Sequence, residues 1–507
     1  MQRENSKNNS QIMKRVRGTM KVCMLNPPFL PHFIRSARWQ EVGRGGSLYY
    51  PIWLAYATGI LEKEGHQVKL IDAPAKEWDI ETTQKNVEQM SPDLIVLDTS
   101  FPSLKNDIKV AEVLKKTTTA TIVVTGPPAS VFEEEILRTD GVDIVARGEY
   151  DLTIKDVANA LDAESDLRGI KGISYKQKGK IIKNENRSLM TPKELDEEPF
   201  VSSVYKKHLD VKQYFLSSSL YPEVQIFTGR GCPFHCTFCL WPQTFTGRTY
   251  RTRSVRNIVE EFKYVEQNLP EVKEIVIEDD TFTINAKHVQ KFCTEIIKES
   301  ITIPWNCQVR ATLDCETLRL MKKAGCRLVI VGFESSDEKI LKNIKKGISL
   351  QNIEDFSKNA NRVGLLVHAD FIIGLPGETR ETIAETKSLI KLLKPSILQV
   401  SVATPFPGTE FYDWAKNNGY LVTNDLNEYL DEYGRQKSVV SYPWLSAEEI
   451  TNAVDDILRD YYLSISYVPV ALKQVFRRNG FSEFKRLLYS VRAFTKRGSH
   501  KSTSCDA

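Results

Sequence analysis

GRGCPFHCTFCLWP, residues 229–242, sets Cys232, Cys236 and Cys239 in one Cys-x3-Cys-x2-Cys run immediately after the strand-like stretch VQIFTGR. The helical stretch SVRNIVEEFKYVEQN follows, so the run lies on a strand-to-helix loop. In a barrel built of such units that loop sits on the catalytic rim. Thiolates hold iron–sulfur clusters well, and close spacing lets one loop wrap one cluster. Three protein ligands on a cubane leave one iron open to a small molecule. The alternative is structural zinc, whose loops pair cysteines as Cys-x2-Cys and complete four ligands. His235 is the conceivable fourth ligand and reads as a spacer.

From Val224 onward strands alternate with helices: EIVIEDD (274–280), WNCQVRA (305–311), RLVIVGFES (327–335), VHADFIIGLP (367–376) and ILQVSVATPFP (397–407). With VQIFTGR these predict a six-stranded partial parallel barrel over 222–435, open on one side. Upstream, VCMLNPP (22–28), VKLIDAP (68–74), DLIVLDTS (93–100), TIVVTGPP (121–128) and DIVARGE (143–149) alternate with helices in the same way. They predict a doubly wound, Rossmann-like α/β domain over 21–165, with ligands at the carboxyl ends of its strands. Residues 1–20 read as a disordered leader. Residues 166–221 read as a connector, including a hairpin that turns at Lys178-Gly179. Residues 436–507 read as a helical, basic end.

The chain has 507 residues and a formal charge of +4, too mild to indicate nucleic acid. No stretch reaches the roughly 18 uninterrupted apolar residues of a spanning helix, and the N-terminus lacks a secretory apolar core. A cytoplasmic protein is expected. Nine cysteines, an odd number in such a chain, argue against a disulfide framework. The six outside the run read as ordinary thiols.

The Cys-x3-Cys-x2-Cys spacing, with Phe238 before the last cysteine, is the signature of the radical S-adenosylmethionine (SAM) enzymes, and residues 222–430 resemble that domain throughout. The resemblance implies a 4Fe–4S cluster whose open iron chelates the amino and carboxylate groups of SAM. Reductive cleavage of SAM then yields a 5′-deoxyadenosyl radical. It implies SAM contacts from Glu278 and Asp279 in EDDT, which departs from the family's Gly-Gly-Glu-like edge, and from Arg310 and Glu334. It also implies them from GLPGET, where Gly374 and Pro376 end the fifth strand. For Arg310 and Glu334 a salt bridge or structural cap is the competing reading. No catalytic residue beyond the cofactor contacts is readable.

LNPP, YYPIWLAYATGILEKEGHQVKLIDAPA, DTSFPS and TGPPAS resemble the cobalamin-binding domain of cobalamin-dependent radical SAM enzymes. The resemblance covers roughly residues 21–430 and implies cobalamin as a third cofactor, with Thr99, Ser100 and Gly126 as its cradle. No Asp-x-His-x-x-Gly run occurs, so no histidine ligand to cobalt is expected, and His32 reads as a surface or packing residue.

The leading expectation is C-methylation of an unactivated carbon in a lipid or natural-product intermediate. SAM would supply both the radical and, by way of cobalamin, the methyl group. A radical oxidative cyclase of tetrapyrrole or hopanoid/lipid type is the competing enzyme, since CTFCLWPQTF resembles the loop of such members. A non-catalytic cobalamin or iron–sulfur sensor is the alternative of another class. An RNA methylthiotransferase-like enzyme is disfavoured by the absence of a second cysteine triad. Expected partners are a small-molecule or lipid substrate and an external flavodoxin- or ferredoxin-type electron donor, without nucleic acid. FSEFKRLLYSVRAF (481–494) sets Phe481, Phe484, Leu487, Leu488, Val491 and Phe494 on one helix face, with Lys485, Arg486 and Arg492 off it. Two readings stand for it: a helix packed over the barrel opening, or peripheral contact with an anionic membrane.

Overall fold

The apolar runs pair into two sheets, as a computed structural model of residues 19–476 and 480–498 describes. The first sheet comprises β1 (Lys21–Asn26), β2 (Gln67–Asp72), β3 (Leu94–Asp98), β4 (Thr121–Thr125), β5 (Ile144–Ala146), β6 (Ile173–Gln177) and β7 (Lys180–Lys183). Their order is β2-β1-β3-β4-β5-β6-β7. β1 to β5 are parallel, and every residue of β3 is buried, as a sheet covered on both faces requires. The winding reverses at β1, so the crevice beyond Asn26 and Asp98 is the natural ligand position.

Two sequence expectations are corrected here. The hairpin assigned to the connector is the antiparallel edge of the first sheet, β6 pairing with β5 and β7 with β6. Glu133 fixes it there, accepting hydrogen bonds from Ser174 Oγ at 2.9 Å and Arg147 Nη1 at 3.0 Å. Its turn is where the sequence put it, with Lys178 and Gly179 both at positive φ, as a two-residue hairpin needs. The leader was expected to run to residue 20, yet Met20 is buried and its N–H donates to His66 Nδ1 at 3.2 Å. Residues 1–18 lie outside the described residues.

VQIFTGR, expected as one strand, is two: β8 (Glu223–Ile226) and β9 (Gly229–Arg230), the latter pairing antiparallel with β10 (Arg251–Thr252). The break falls at Thr228, whose N–H and hydroxyl donate to the Asp279 carboxylate at 2.7 and 2.6 Å. The second sheet runs β15-β14-β13-β12-β11-β8, with β11 (Glu274–Ile277), β12 (Trp305–Val309), β13 (Cys326–Glu334), β14 (Leu366–Ile373) and β15 (Ile397–Val402). All its pairs are parallel, and β8 and β15 stay apart, which leaves a partial barrel.

A continuous apolar core runs through both sheets, with Trp53, Phe227, Trp241 and Phe245 at the join. Buried arginines reinforce it. Arg230 donates to Asp151 at 2.9 Å and Glu198 at 3.0 Å; Arg251 forms a two-pronged pair with Glu149 at 2.6 and 2.7 Å. Glu149 and Asp151 belong to the first domain, while Arg230 and Arg251 are the two legs of the cysteine loop.

Beyond 435 the helices Ala447–Tyr462, Val468–Val475 and Gly480–Gly498 follow. The last does not cover the barrel opening. Its Glu483 pairs with Arg327 at the start of β13, and its Arg486 donates to the Ser217 carbonyl at 2.5 Å. These are the amino ends of the barrel strands, opposite the cysteine loop. The side chains of Val491, Arg492 and Phe494 lie outside the described residues.

Candidate active site

The cysteine loop is a closed stem. β9 and β10 form its legs, and Cys232 N–H donates to the Gly247 carbonyl at 3.2 Å. Gly231 has φ +86°, and a Cβ there would stand 2.3 Å from the Thr249 carbonyl oxygen, so only glycine allows the legs to close. Thr237 N–H is anchored on the Ile344 carbonyl at 3.0 Å, and Gln243 Nε2 holds the Cys239 carbonyl at 2.7 Å. Cys232, Cys236 and Cys239 thereby line one wall of a solvent-open cleft of about 1040 Å³ at the carboxyl ends of the barrel strands. Burial, then neighbouring thiols and Asp280, push the Cys239 thiol up; burial does the same to Cys232. Three crowded thiols on one loop are a donor set for a centre that takes one sulfur per iron and draws off the thiol protons. His235 is exposed and absent from this wall. Among the described residues no three His, Cys, Asp or Glu side chains converge on a single ion.

The segment after β11 divides its labour. Asp279 is buried and turned inward, accepting from Thr228 and, at 3.2 Å, from the Tyr250 hydroxyl. It therefore braces the stem and does not line the cleft. Asp280 and Thr281 line it instead. Asp280 accepts from Gly231 N–H and from Thr246 Oγ1, both at 3.0 Å. Glu278, like Asp279, is buried and does not line the cleft. It accepts from Arg38 at 3.2 Å and Gln308 at 3.1 Å, and burial raises its pKa to about 7 against the opposing pull of Arg38.

Arg310 and Glu334 both reach the cleft. The Arg310 guanidinium stacks 3.5 Å from the Phe234 ring centroid in the cysteine loop and donates to the Lys346 carbonyl at 2.5 Å. Glu334 sits at φ +68° and pairs with Lys346 Nζ at 2.6 Å. Burial works against the Lys346 ammonium, but Glu334 and Cys236 together leave the pKa above the usual lysine value. Asp370, on β14 in the same wall, is pushed well above the carboxylate range by burial and by Glu334. Gly374 and Pro376 do not line the cleft. The close approach at Gly374 is to Ile450 of the C-terminal region, and Tyr442 OH donates to its carbonyl at 2.8 Å.

In the first domain Thr99, Ser100 and Gly126 do come together beyond β3 and β4. Gly126 has φ +100°, and a Cβ there would stand 2.3 Å from the Thr99 carbonyl. The two hydroxyls are engaged within the loop: Thr99 donates to Asp107 at 2.9 Å, and Ser100 shares 2.6 Å with Ser103. The space a side chain at Gly126 would take is filled by the Thr99 carbonyl and, at 3.0 Å, by Asp98, so glycine is what lets these two strand-end loops close on each other. His32 pairs with Glu77 at 2.8 Å on the surface, as its packing reading expects.

Sequence reading missed Arg38. It leaves the long loop after β1, crosses to the barrel, and lies 4.5 Å over the Trp241 ring while pairing with Glu278 and Asp280. The available signal was a basic residue in a loop at the switch point. Nothing in the sequence pointed it at the cysteines. Lys346 and Asp370 were missed likewise.

The match to known proteins follows this geometry. Residues 226–390 match the Radical SAM superfamily model, and residues 42–158 match the B12 binding domain model. An uncharacterized methyltransferase of Pyrococcus horikoshii is 32% identical over 466 residues, 91% of this chain and 96% of the relative. The anaerobic magnesium-protoporphyrin IX monomethyl ester cyclase of Cereibacter sphaeroides is 26% identical over 78% of this chain and 68% of its own. Among solved structures, the radical SAM methyltransferase TsrM of Kitasatospora setae, with cobalamin and a 4Fe–4S cluster bound, superposes with a TM-score of 0.67 at 16% identity. It covers 95% of this chain and all of that one. Two matched domains and a relative similar end to end leave one conclusion: the chain belongs to the radical SAM superfamily, as an enzyme with a B12-binding domain whose cofactors are a 4Fe–4S cluster, SAM and cobalamin.

Proposed function

We propose that this enzyme methylates an unactivated carbon of a small natural-product or lipid intermediate. The observation that carries the reading is the shared cleft: the cysteine wall and Arg38 of the B12-type domain face the same space. When bound, the cluster and SAM supply a carbon-centred radical and cobalamin supplies a methyl carrier; the protein's share is orientation and exclusion of water. In this reading Cys232, Cys236 and Cys239 hold the cluster. Asp280 receives the SAM amino group, and Arg38, paired with Glu278 and Asp280, holds that edge in place. Arg310 and Lys346 face the SAM carboxylate, and Gly126 floors the cobalamin site. An external flavodoxin- or ferredoxin-type donor supplies the electron.

The end-to-end similarity to a protein named as a methyltransferase supports this, as does 25% identity to the hopanoid C-3 methylase of Methylococcus capsulatus. A cyclase reading draws on the Cereibacter relative. Anaerobic turnover of reconstituted enzyme with deuteromethyl-SAM and extracts of candidate substrates separates the two. Methyl transfer yields S-adenosylhomocysteine, 5′-deoxyadenosine and a mass-shifted product together. Deoxyadenosine without S-adenosylhomocysteine overturns methylation and leaves the cyclase.

A further inference from the structure

Among the described residues twelve large apolar side chains are exposed, and nine of them fall between Leu463 and Tyr489. Their spacing is helical. Ile465, Val468, Leu472 and Phe476 recur at three and four residues along one side of the turn and helix 465–476; Phe481, Phe484 and Leu488 do the same on the final helix. Ile465 is 89% exposed, Phe476 84% and Phe481 73%.

The final helix is inverted relative to an ordinary surface helix. Its buried side carries Glu483 and Arg486, 1% and 3% exposed. Arg327 bridges Glu483 at 2.7 Å and Glu274 at 2.8 Å, while Arg486 donates to Glu483 at 2.9 Å and Gln474 at 2.7 Å. This network satisfies the polar groups inside and leaves the apolar face outward. A face held outward by buried ion pairs is not a helix awaiting burial in its own core.

Charge decides what covers it. Residues 463–507 hold nine Lys and Arg against two Asp and Glu, a formal +7, so the other residues together carry −3 of the chain's +4. Lys485 Nζ stands 4.7 Å over the Phe481 ring, so cation and apolar side chain share the surface. Two copies associating through this segment would each bring its formal +7. An anionic lipid surface accepts both the apolar side chains and the charge.

We propose that the C-terminal helices seat the enzyme on an anionic membrane surface. This rests on the exposed face and its charge, independently of the methylation reading. It also fixes an orientation. The network grips Arg327 and Glu274 at the amino ends of β13 and β11, whereas the cleft opens at the carboxyl ends. Eight residues of β14 put roughly 26 Å between the two. The cleft therefore faces water, and its substrate arrives from the aqueous side without being drawn sideways from the leaflet beneath.

Co-sedimentation of the full-length holoenzyme with vesicles tests this, comparing phosphatidylcholine alone with phosphatidylcholine containing one third phosphatidylglycerol. Binding is expected only to the anionic vesicles, falling as salt rises. Phe476→Glu or Phe481→Glu should weaken it by about tenfold. Leu472→Ser serves as a milder variant, with circular dichroism checking that each still folds. Equal pelleting on neutral vesicles, or unchanged binding by folded variants, overturns the proposal. So does a dimer in sedimentation velocity that these substitutions disperse. No turnover is involved, so failure here leaves the methylation reading standing.

Discussion

Replacing Arg230 by methionine tests how the cysteine loop is held. The guanidinium is buried between Asp151, at 2.9 Å, and Glu198, at 3.0 and 3.1 Å, and lies 4.7 Å from the Trp53 ring and 4.9 Å from Tyr56. Removing one partner of a buried pair costs about 3–5 kcal/mol, because the remaining charges stay desolvated. Two carboxylates are stranded here, which puts the cost at the upper end. Proton uptake relieves part of it. Burial already raises Glu198 to about 8 while Arg230 pulls it down, so losing Arg230 raises it further. A carboxyl raised in the fold contributes stability below its unfolded pKa and loses it as pH rises through the folded value. Without Arg230 the folded value lies higher, so the variant goes on losing stability to higher pH than the wild type and its deficit grows with pH. Anaerobic urea titrations followed by tryptophan fluorescence, with Trp53 beside the site, measure this. Arg230→Met with Glu198→Gln should recover part of the loss, and iron bound per chain should fall in the single variant, since Arg230 is one leg of the loop. A loss under about 1 kcal/mol, or a deficit that shrinks as pH rises, refutes the reasoning.

Substituting Cys232, Cys236 or Cys239 by alanine should abolish the visible charge-transfer absorption and reductive SAM cleavage while leaving far-ultraviolet circular dichroism intact; iron analysis and deoxyadenosine assays check this. Gly126→Ala forces a Cβ against the Thr99 carbonyl at positive φ. It should cost about 1–3 kcal/mol and lower cobalamin retained after gel filtration, read from the cobalamin spectrum. His368 is buried with Nε2 standing 3.3 Å from Asp370 but in no aligned hydrogen bond, and burial, with Arg486 and Arg327 nearby, lowers its pKa to about 3. Its contribution is complete above the unfolded value of 6.5 and is lost as pH falls toward 3, at up to about 1.4 kcal/mol per pH unit. Melting temperatures of the wild type and His368→Gln across that range should converge in acid.

What the sequence showed was what is local. The cysteine spacing, the strand periods and the Lys178-Gly179 turn are each written within a few residues, and each appears where the sequence puts it except at VQIFTGR, which Asp279 splits in two at Thr228. Three readings failed for lack of a partner. Asp279 and Asp280 are adjacent carboxylates of equal chemistry, and only the position of Thr228 turns one into the stem and leaves the other in the cleft. The hairpin shows its own pairing but not β5, which it joins. The final helix shows an apolar and a basic face, yet which one is buried depends on Arg327, some 156 residues away.

The same separation explains why the radical source is easier to read than its target. One loop of three cysteines defines the source, so its motif survives in the linear sequence. The cleft beyond it is composite: Arg38 and Trp39 come from the loop after β1, Gln308 from β12 and Arg310 from just past its end, Glu334 from β13, and Gln436 from beyond β15. Arg38 joins that assembly, because it pairs with Glu278, opposing the upward push of burial on that carboxyl, while its guanidinium rests on Trp241. The first domain and the barrel therefore meet through Arg38 at the rim of the cleft. A wall assembled from segments this far apart in the chain leaves no contiguous motif in the sequence.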